Sequence, residues 1–217
     1  MLYSATCQEF LCHIWQWQSL IVGTIAVLAA IATIWHMRKQ ITQIEKARAE
    51  DFERKKKAYR ARMNPILSNL CHYNIDCFEA LISEDELRPI PLEPVDEVKL
   101  IGEAIEYADE ESSEAMAQMI SQYQIHRSRL REFLAEKEYK PRADWSAEMV
   151  YNATLLHFQI TNMFDYARSK EESIPTTKPS REQMMNALRN MMGLEAYLAH
   201  EQRVAGGREL IEKRHTE

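Results

Sequence analysis

The sequence predicts an all-α protein: one N-terminal transmembrane helix, a basic helical stalk and a cytoplasmic bundle of about five amphipathic helices. Three observations predict it. Five Gly and seven Pro in 217 residues leave long stretches free of helix breakers, and the Ala, Leu, Met, Glu and Gln that fill them lose little rotamer freedom in a helix. Apolar residues recur three and four apart and nowhere alternate as they would along a strand. Finally, "SLIVGTIAVLAAIATIW", residues 19 to 35, carries no formal charge.

The charge-free run is the first element. At about 1.5 Å per residue, the twenty steps from Trp15 to Trp35 cover about 30 Å, the thickness of a bilayer's hydrocarbon core. Trp15 and Trp17 at one end and Trp35 at the other suit the two membrane interfaces, where an indole buries its ring and keeps its N–H wet. A cleaved leader needs a basic start and a small-residue cleavage site, and "MLYSATCQEFLCHIWQWQ" offers neither basic residues nor a short apolar region. The expected organisation is a short extracytoplasmic tail at 1–13, a transmembrane helix at 14–37, a basic juxtamembrane helix at 38–63, a helical domain at 64–205 and a C-terminal tail at 206–217.

Direction follows from the basic residues, which stay on the cytoplasmic side of a span. Residues 38 to 62 hold ten Lys or Arg against four acids, beginning with Arg38 and Lys39, whereas residues 63 to 217 hold seventeen against twenty-eight. The N-terminus is therefore expected outside and the C-terminal domain in the cytoplasm. Cys7 and Cys12 would face a potentially oxidising compartment, either bridged or as free thiols. Cys71 and Cys77 read as small core residues.

Within the span, Ser19, Gly23, Ala26, Ala30 and Thr33 share one stripe about 80° wide at 100° per residue. Small residues let two membrane helices approach closely, so this stripe suits self-association into a homo-oligomer, with a lipid-facing surface as the plainer alternative. No ionisable group lies inside the run, which argues against a proton relay.

The basic helix contains Lys55, Lys56 and Lys57. On an upright helix Lys55 stands about 27 Å beyond Met37, several times the roughly 8 Å over which a membrane surface potential decays. A solvated charged helix is the simpler reading. Interleaved acids and the lack of a recognition motif argue against nucleic-acid binding.

A 3–4 spacing then runs through Phe52, Lys56, Tyr59, Met63, Ile66, Leu70, Tyr73, Cys77 and Ala80. It suits a coiled-coil seam or a helix packed in its own domain. "NPILSNL" reads as a fresh helix start, with Asn64 as N-cap and Pro65 at the first helical position. The prolines of "SEDELRPIPLEP" make a connector. Val95, Val98, Ile101 and Ile105 mark a short helix. Ser112 or Ser113 is expected to cap a longer one carrying Met116, Met119, Ile120, Tyr123, Leu130 and Phe133. "KEYKPRADWS" ends it, and Ser146 is the expected cap of a helix with Met149, Ala153, Leu156, Ile160, Met163 and Ala167. Ser180 and Gln183 have the spacing of a capping box. The last helix is expected to bury Met184, Leu188, Met191 and Leu198 and to stop at Gly206-Gly207.

Chemistry leaves few traces. A bundle di-iron site needs Glu-x-x-His pairs, but Asn69, Tyr123, Thr154 and Tyr197 precede His72, His126, His157 and His200 by three. His72 and Asp76 are spaced i, i+4, and two ligands do not make a metal site. His157 reads as a core histidine. No Gly-rich phosphate loop, nucleophile elbow or Cys-x-x-Cys occurs. The Met184-Met185 and Met191-Met192 doublets suit a core or an adaptable binding face, and core is favoured. The chain is thus expected to be no enzyme and to use no cofactor or metal.

Taken together, "WQSLIVGTIAVLAAIATIW", "RKQITQIEKAR", "ILSNLCHYNIDCFEAL" and "QYQIHRSRLREFL" resemble a loosely defined group of uncharacterised bacterial single-pass inner-membrane proteins with a cytoplasmic helical region. The resemblance covers most of residues 15 to 134 and implies a bacterial inner-membrane location. Residues 140 to 217 match nothing. The functional expectation is a membrane-anchored, non-enzymatic interaction or scaffold protein whose partners are the lipid bilayer, a second protein and further copies of the chain, and no nucleic acid. The alternatives are a membrane-damaging or signalling effector assembled through its span, and an enzyme with an unrecognised helical active site.

Overall fold

The computed structural model describes residues 3–82, 91–135 and 143–215, without the side chains of 3–14, 16, 19, 134–135, 143–145 and 194–196. Every regular element among the described residues is helical: α1 (Tyr3–Ile82), α2 (Val95–Ile105), α3 (Glu110–Ala135), α4 (Ala143–Asn162), α5 (Phe164–Ala167), α6 (Arg181–Met192), α7 (Leu194–Ala199) and α8 (Glu201–Arg214). The chain divides into two compact units, one ending at Phe52 and the other beginning at Glu53.

The first unit is helix throughout its described part. Among the described residues, α1 is the one helix long and apolar enough to cross a membrane, and none of its most apolar window is buried. Leu20, Ile21, Val22, Ile25, Leu28, Ile31 and Ile34 all stand exposed. Thr24 and Thr33 donate their hydroxyls to the carbonyls of Leu20 and Ala29, each at 2.8 Å. The polar group is thereby satisfied within the helix itself, as an apolar surrounding demands.

In the second unit, α4 packs against α3, α6 and α8, and α2 packs on α3. Apolar stripes at helical spacing dictate these contacts. Met63, Leu67, Leu70, Tyr73 and Cys77 of α1 join Ile101 of α2, Met116, Met119 and Leu130 of α3, Leu156 and Ile160 of α4, and Met163 just after α4 in one core cluster. Phe78 joins Val150 and Ala153 of α4, Met184, Leu188 and Met191 of α6, and Val204 and Ile211 of α8 in a second. The 3–4 spacing from Met63 to Ala80 therefore serves intramolecular packing. At its upstream end Phe52 is exposed, while Lys56 pairs with Asp109 at 3.9 Å. The capping box at Ser180 is formed, with Gln183 N–H donating to Ser180 Oγ at 3.2 Å and Ser180 N–H to Gln183 Oε1 at 2.8 Å.

Five local expectations are corrected. No new helix starts at Asn64: α1 runs through Pro65, and Asn64 Oδ1, buried without a partner, caps nothing. The helix survives because Met63, Ile66 and Leu67 fix its register on both sides of the proline. Ala61 and Pro65 themselves lie exposed, so the Ala61 carbonyl freed by the missing N–H can be hydrated. The cap of α3 is Asp109 rather than Ser112 or Ser113: Asp109 Oδ1 accepts from Ser112 N–H at 2.9 Å and Oδ2 from Ser112 Oγ at 2.8 Å. A carboxylate outcompetes a hydroxyl there because it accepts twice and suits the positive helix end. Ser146 lies inside α4, which begins at Ala143. Leu198 is exposed instead of buried.

The fifth correction concerns the C-terminus. Helix α8 continues through Gly206 and Gly207 to Arg214, and Ile211 and His215 are buried, so residues 206–215 of the expected tail are packed helix and its cap. The glycines serve close packing. A Cβ on Gly207 would lie 2.2 Å from Val150 Cγ1, and one on Gly206 3.0 Å from Ala147 Cβ. The domain boundaries placed at 63/64 and 205/206 both fall inside helices.

Candidate membrane anchor and buried polar sites

The anchor residues lie on one uninterrupted helix. Trp15, Trp17 and Trp35 are 76%, 59% and 66% exposed, and Lys39 Nζ sits 5.7 Å from the Trp35 ring centroid. A lysine laid over an indole one turn away keeps its charge at the same level as the ring. Gly23, Ala26, Ala30 and Thr33 are exposed, and nothing lies within 4 Å of where a Gly23 Cβ would stand. The side chains of Ser19, Cys7 and Cys12 are outside the described ones.

Inside the second unit the titratable groups are either dispersed or sealed. His72 and Asp76 are both exposed, and His72 Nδ1 lies 2.8 Å from the Ser68 carbonyl. Among the described residues no three His, Cys, Asp or Glu side chains gather as a metal site would require. His157 is buried, as expected, with Nδ1 unpartnered. His126 is fully buried, and neither ring nitrogen has a partner. Burial lowers both histidines to about 4, so each is neutral near pH 7. His126 is polar and so escapes an apolar count of the α3 stripe, although it falls three after Tyr123 and four before Leu130, a spacing that marks it as core.

Three further groups were not legible as sites. Arg60, counted with the stalk, is buried. It donates from Nε and Nη2 to the Tyr166 carbonyl at 3.0 and 2.8 Å and from Nη2 to the Glu171 carbonyl at 2.6 Å. Its guanidinium lies 4.2 Å from the Tyr166 ring centroid. The planar fork thus ties α1 to the turn after α5, a task a lysine cannot perform. Glu93, ahead of α2, is held by Arg127 and Arg131 of α3. Beside Tyr73, burial pushes the Cys77 thiol up to about 12, and burial alone pushes Cys71 to about 11. Both are free thiols, kept protonated and so poor nucleophiles.

A groove of about 290 Å³ runs between α4 and the 174–179 segment, bordered by Tyr151, Phe158, Gln159, Lys178 and His215. Lys178, His215 and Tyr151 are engaged in the fold, whereas Gln159 Oε1 is buried without a partner. Lys178 Nζ donates to the Arg214 carbonyl at 2.9 Å. His215 Nδ1 meets the Pro179 carbonyl at 2.6 Å, and Tyr151 Oη meets His215 Nε2 at 3.1 Å. The Pro179 carbonyl can only accept, which makes Nδ1 the donor.

Comparison of the chain with protein-family models, with curated proteins and with solved structures finds no match.

Proposed function

We propose that the chain is a membrane-anchored, non-enzymatic interaction or scaffold protein, inserted in a bacterial inner membrane with its N-terminus outside. Its helical bundle is then presented to protein partners in the cytoplasm. The observation that carries this reading is the bare apolar helix: Leu20, Ile21, Val22, Ile25, Val27, Leu28, Ile31 and Ile34 are all more than half exposed. Burying one such side chain is worth about 1.5–3 kcal/mol, so a continuous sleeve of them calls for a lipid cover. The flanking Trp15, Trp17, Trp35, Arg38 and Lys39 match the two interfaces, and the basic excess over 38–62 sets the direction. In the second unit, Arg60, Glu93, Lys178 and His215 are committed to holding the fold, which favours a binding role over catalysis.

The test is fractionation and protease mapping of the full chain in a bacterium. Retention in membranes washed with alkaline carbonate is expected. A C-terminal tag should be protected in spheroplasts and digested in inverted vesicles. Release by carbonate as a soluble species, or digestion of that tag in intact spheroplasts, would refute the location or the direction respectively.

A further inference from the structure

From the last residue of the proposed span onward, α1 keeps an apolar face that water should not tolerate unpartnered. Met37, Ile41 and Ile44 are 56%, 55% and 52% exposed in the first unit. They stand eighteen residues, five full turns, after Ser19, Gly23 and Ala26. The small-residue stripe therefore passes, in phase, into a large-residue stripe as the helix leaves the apolar run.

The charged and polar side chains of this stretch turn elsewhere. Lys39 lies over Trp35, Gln40 meets His36 at 3.2 Å, Thr42 donates to the Arg38 carbonyl at 3.0 Å, and Lys46 pairs with Glu50 at 3.9 Å. All these residues fall off the stripe at 100° per residue. Thr33, which is on it, has already spent its hydroxyl on Ala29. From Gly23 to Ile44 the face thus carries no charge and no unsatisfied polar side chain.

We infer that this face binds a second copy of the same chain, forming a parallel, in-register helix pair that crosses the membrane boundary from Gly23 to Ile44. The inference rests on the membrane reading above. Copies inserted in one direction can only lie parallel, with each residue at the depth of its twin, so identical faces meet symmetrically. In lipid, Gly23, Ala26 and Ala30 let the backbones approach. In water, Met37, Ile41 and Ile44 supply the apolar burial that drives helix pairing. A single partner satisfies both demands only if its face makes the same change at the same depth, which the chain itself does. The next two stripe positions, Arg48 and Asp51, are charged and in an in-register pair would each meet its own twin, so the apolar seam ends at Ile44. Confinement to the bilayer raises the local concentration at which the pair forms.

The test places a photo-crosslinking benzophenone side chain, in turn, at Met37, Ile41 and Ile44 and at the off-face positions Lys39, Thr42 and Lys46 of the full chain in native membranes. The first three should yield an adduct of twice the chain's mass at least fivefold more strongly than the last three. Ile41→Gln with Ile44→Gln should cut the adduct from position 37 at least tenfold, whereas Lys39→Gln with Lys46→Gln should leave it unchanged. Equal yields from both faces, an adduct only to a chain of different mass, or no loss with the Gln pair would each overturn the homodimer. Carbonate washing separates the two ideas. Retention without a stripe-specific adduct defeats the pair alone, and release of the chain defeats the membrane reading and the parallel arrangement with it.

Discussion

Replacing Gly207 by Ala should destabilise the second unit by about 2 kcal/mol, although the same change in an unobstructed helix interior stabilises by about 1 kcal/mol. The new methyl would stand 2.2 Å from Val150 Cγ1 and 2.7 Å from Val150 Cβ. Rotating Val150 can move its Cγ1 away but not its Cβ, and at 3% exposure that side chain has little free space to enter. Helix α8 must therefore back away from α4, and overpacking of this kind costs about 1–3 kcal/mol, occasionally more. Taking the upper end against the propensity gain leaves the stated loss. Gly102→Ala is the control: its Cβ meets nothing nearer than Ile120 Cδ1 at 4.0 Å, so a gain of about 1 kcal/mol is expected. Urea unfolding of the full chain in mild detergent, followed by circular dichroism, reads both. With a slope of about 2 kcal/mol/M, the midpoint should fall by about 1 M for Gly207→Ala and rise by about 0.5 M for Gly102→Ala. Adding Val150→Ala to Gly207→Ala should recover more than additivity allows. A Gly207→Ala protein as stable as the parent would refute the close-packing account of that glycine.

Arg60→Met should cost about 2–4 kcal/mol in the same urea assay, since it strips donors from the Tyr166 and Glu171 carbonyls; a cost no larger than that of an exposed Arg129→Met control would discredit the tie. Asn74 is fully buried, donates to the Ala153 carbonyl at 3.0 Å, and leaves Oδ1 without a partner. Asn74→Leu should therefore stay within about 1 kcal/mol of the parent, while Asn74→Asp, which buries a charge, should cost at least about 3 kcal/mol. Acid should weaken the fold through His126 and His157. Their folded values near 4 lie below the ordinary 6.5, so the unfolded chain binds more protons between those values. Stability is then fully present above pH 6.5 and falls as pH drops toward 4, by up to about 3 kcal/mol for each group. His126→Leu should flatten that slope in urea midpoints measured across the window, and an unchanged slope would remove His126 from the explanation.

The periodic part of the fold was readable because burial in a helix repeats with the backbone. Met149, Ala153, Leu156, Ile160 and Met163 follow that repeat and are all buried, and Ser180 with Gln183 form the box their spacing announced. What failed to read was decided by a neighbour. Gly206 and Gly207 carry the sign of a helix stop, yet they permit contact with Ala147 and Val150, a requirement set by residues about sixty positions away. Pro65 carries the sign of a start, but packing on both sides of it outweighs one lost hydrogen bond. Arg60 looked like one more stalk cation because nothing local distinguishes an arginine that finds two carbonyls more than a hundred residues later. Of the candidate sites, the long apolar helix was legible from composition alone, since its exposure needs no partner from elsewhere in the chain. The buried polar groups were not, since each depends on partners brought together by folding.

The distribution of methionines gives the molecule a built-in chemical clock. Met184, Met185 and Met191 are sealed in the second core cluster, Met192 lies only partly covered, and Met37 stands open. Peroxide reaches a thioether only where solvent does, so in a detergent that dissociates the helix pair sulfoxide should mark Met37 within the dead time and Met192 next. The three interior sulfurs should follow only as fast as α6 breathes away from α4. Peptide mass mapping of a brief oxidation would thus time the opening of that helix with no label added.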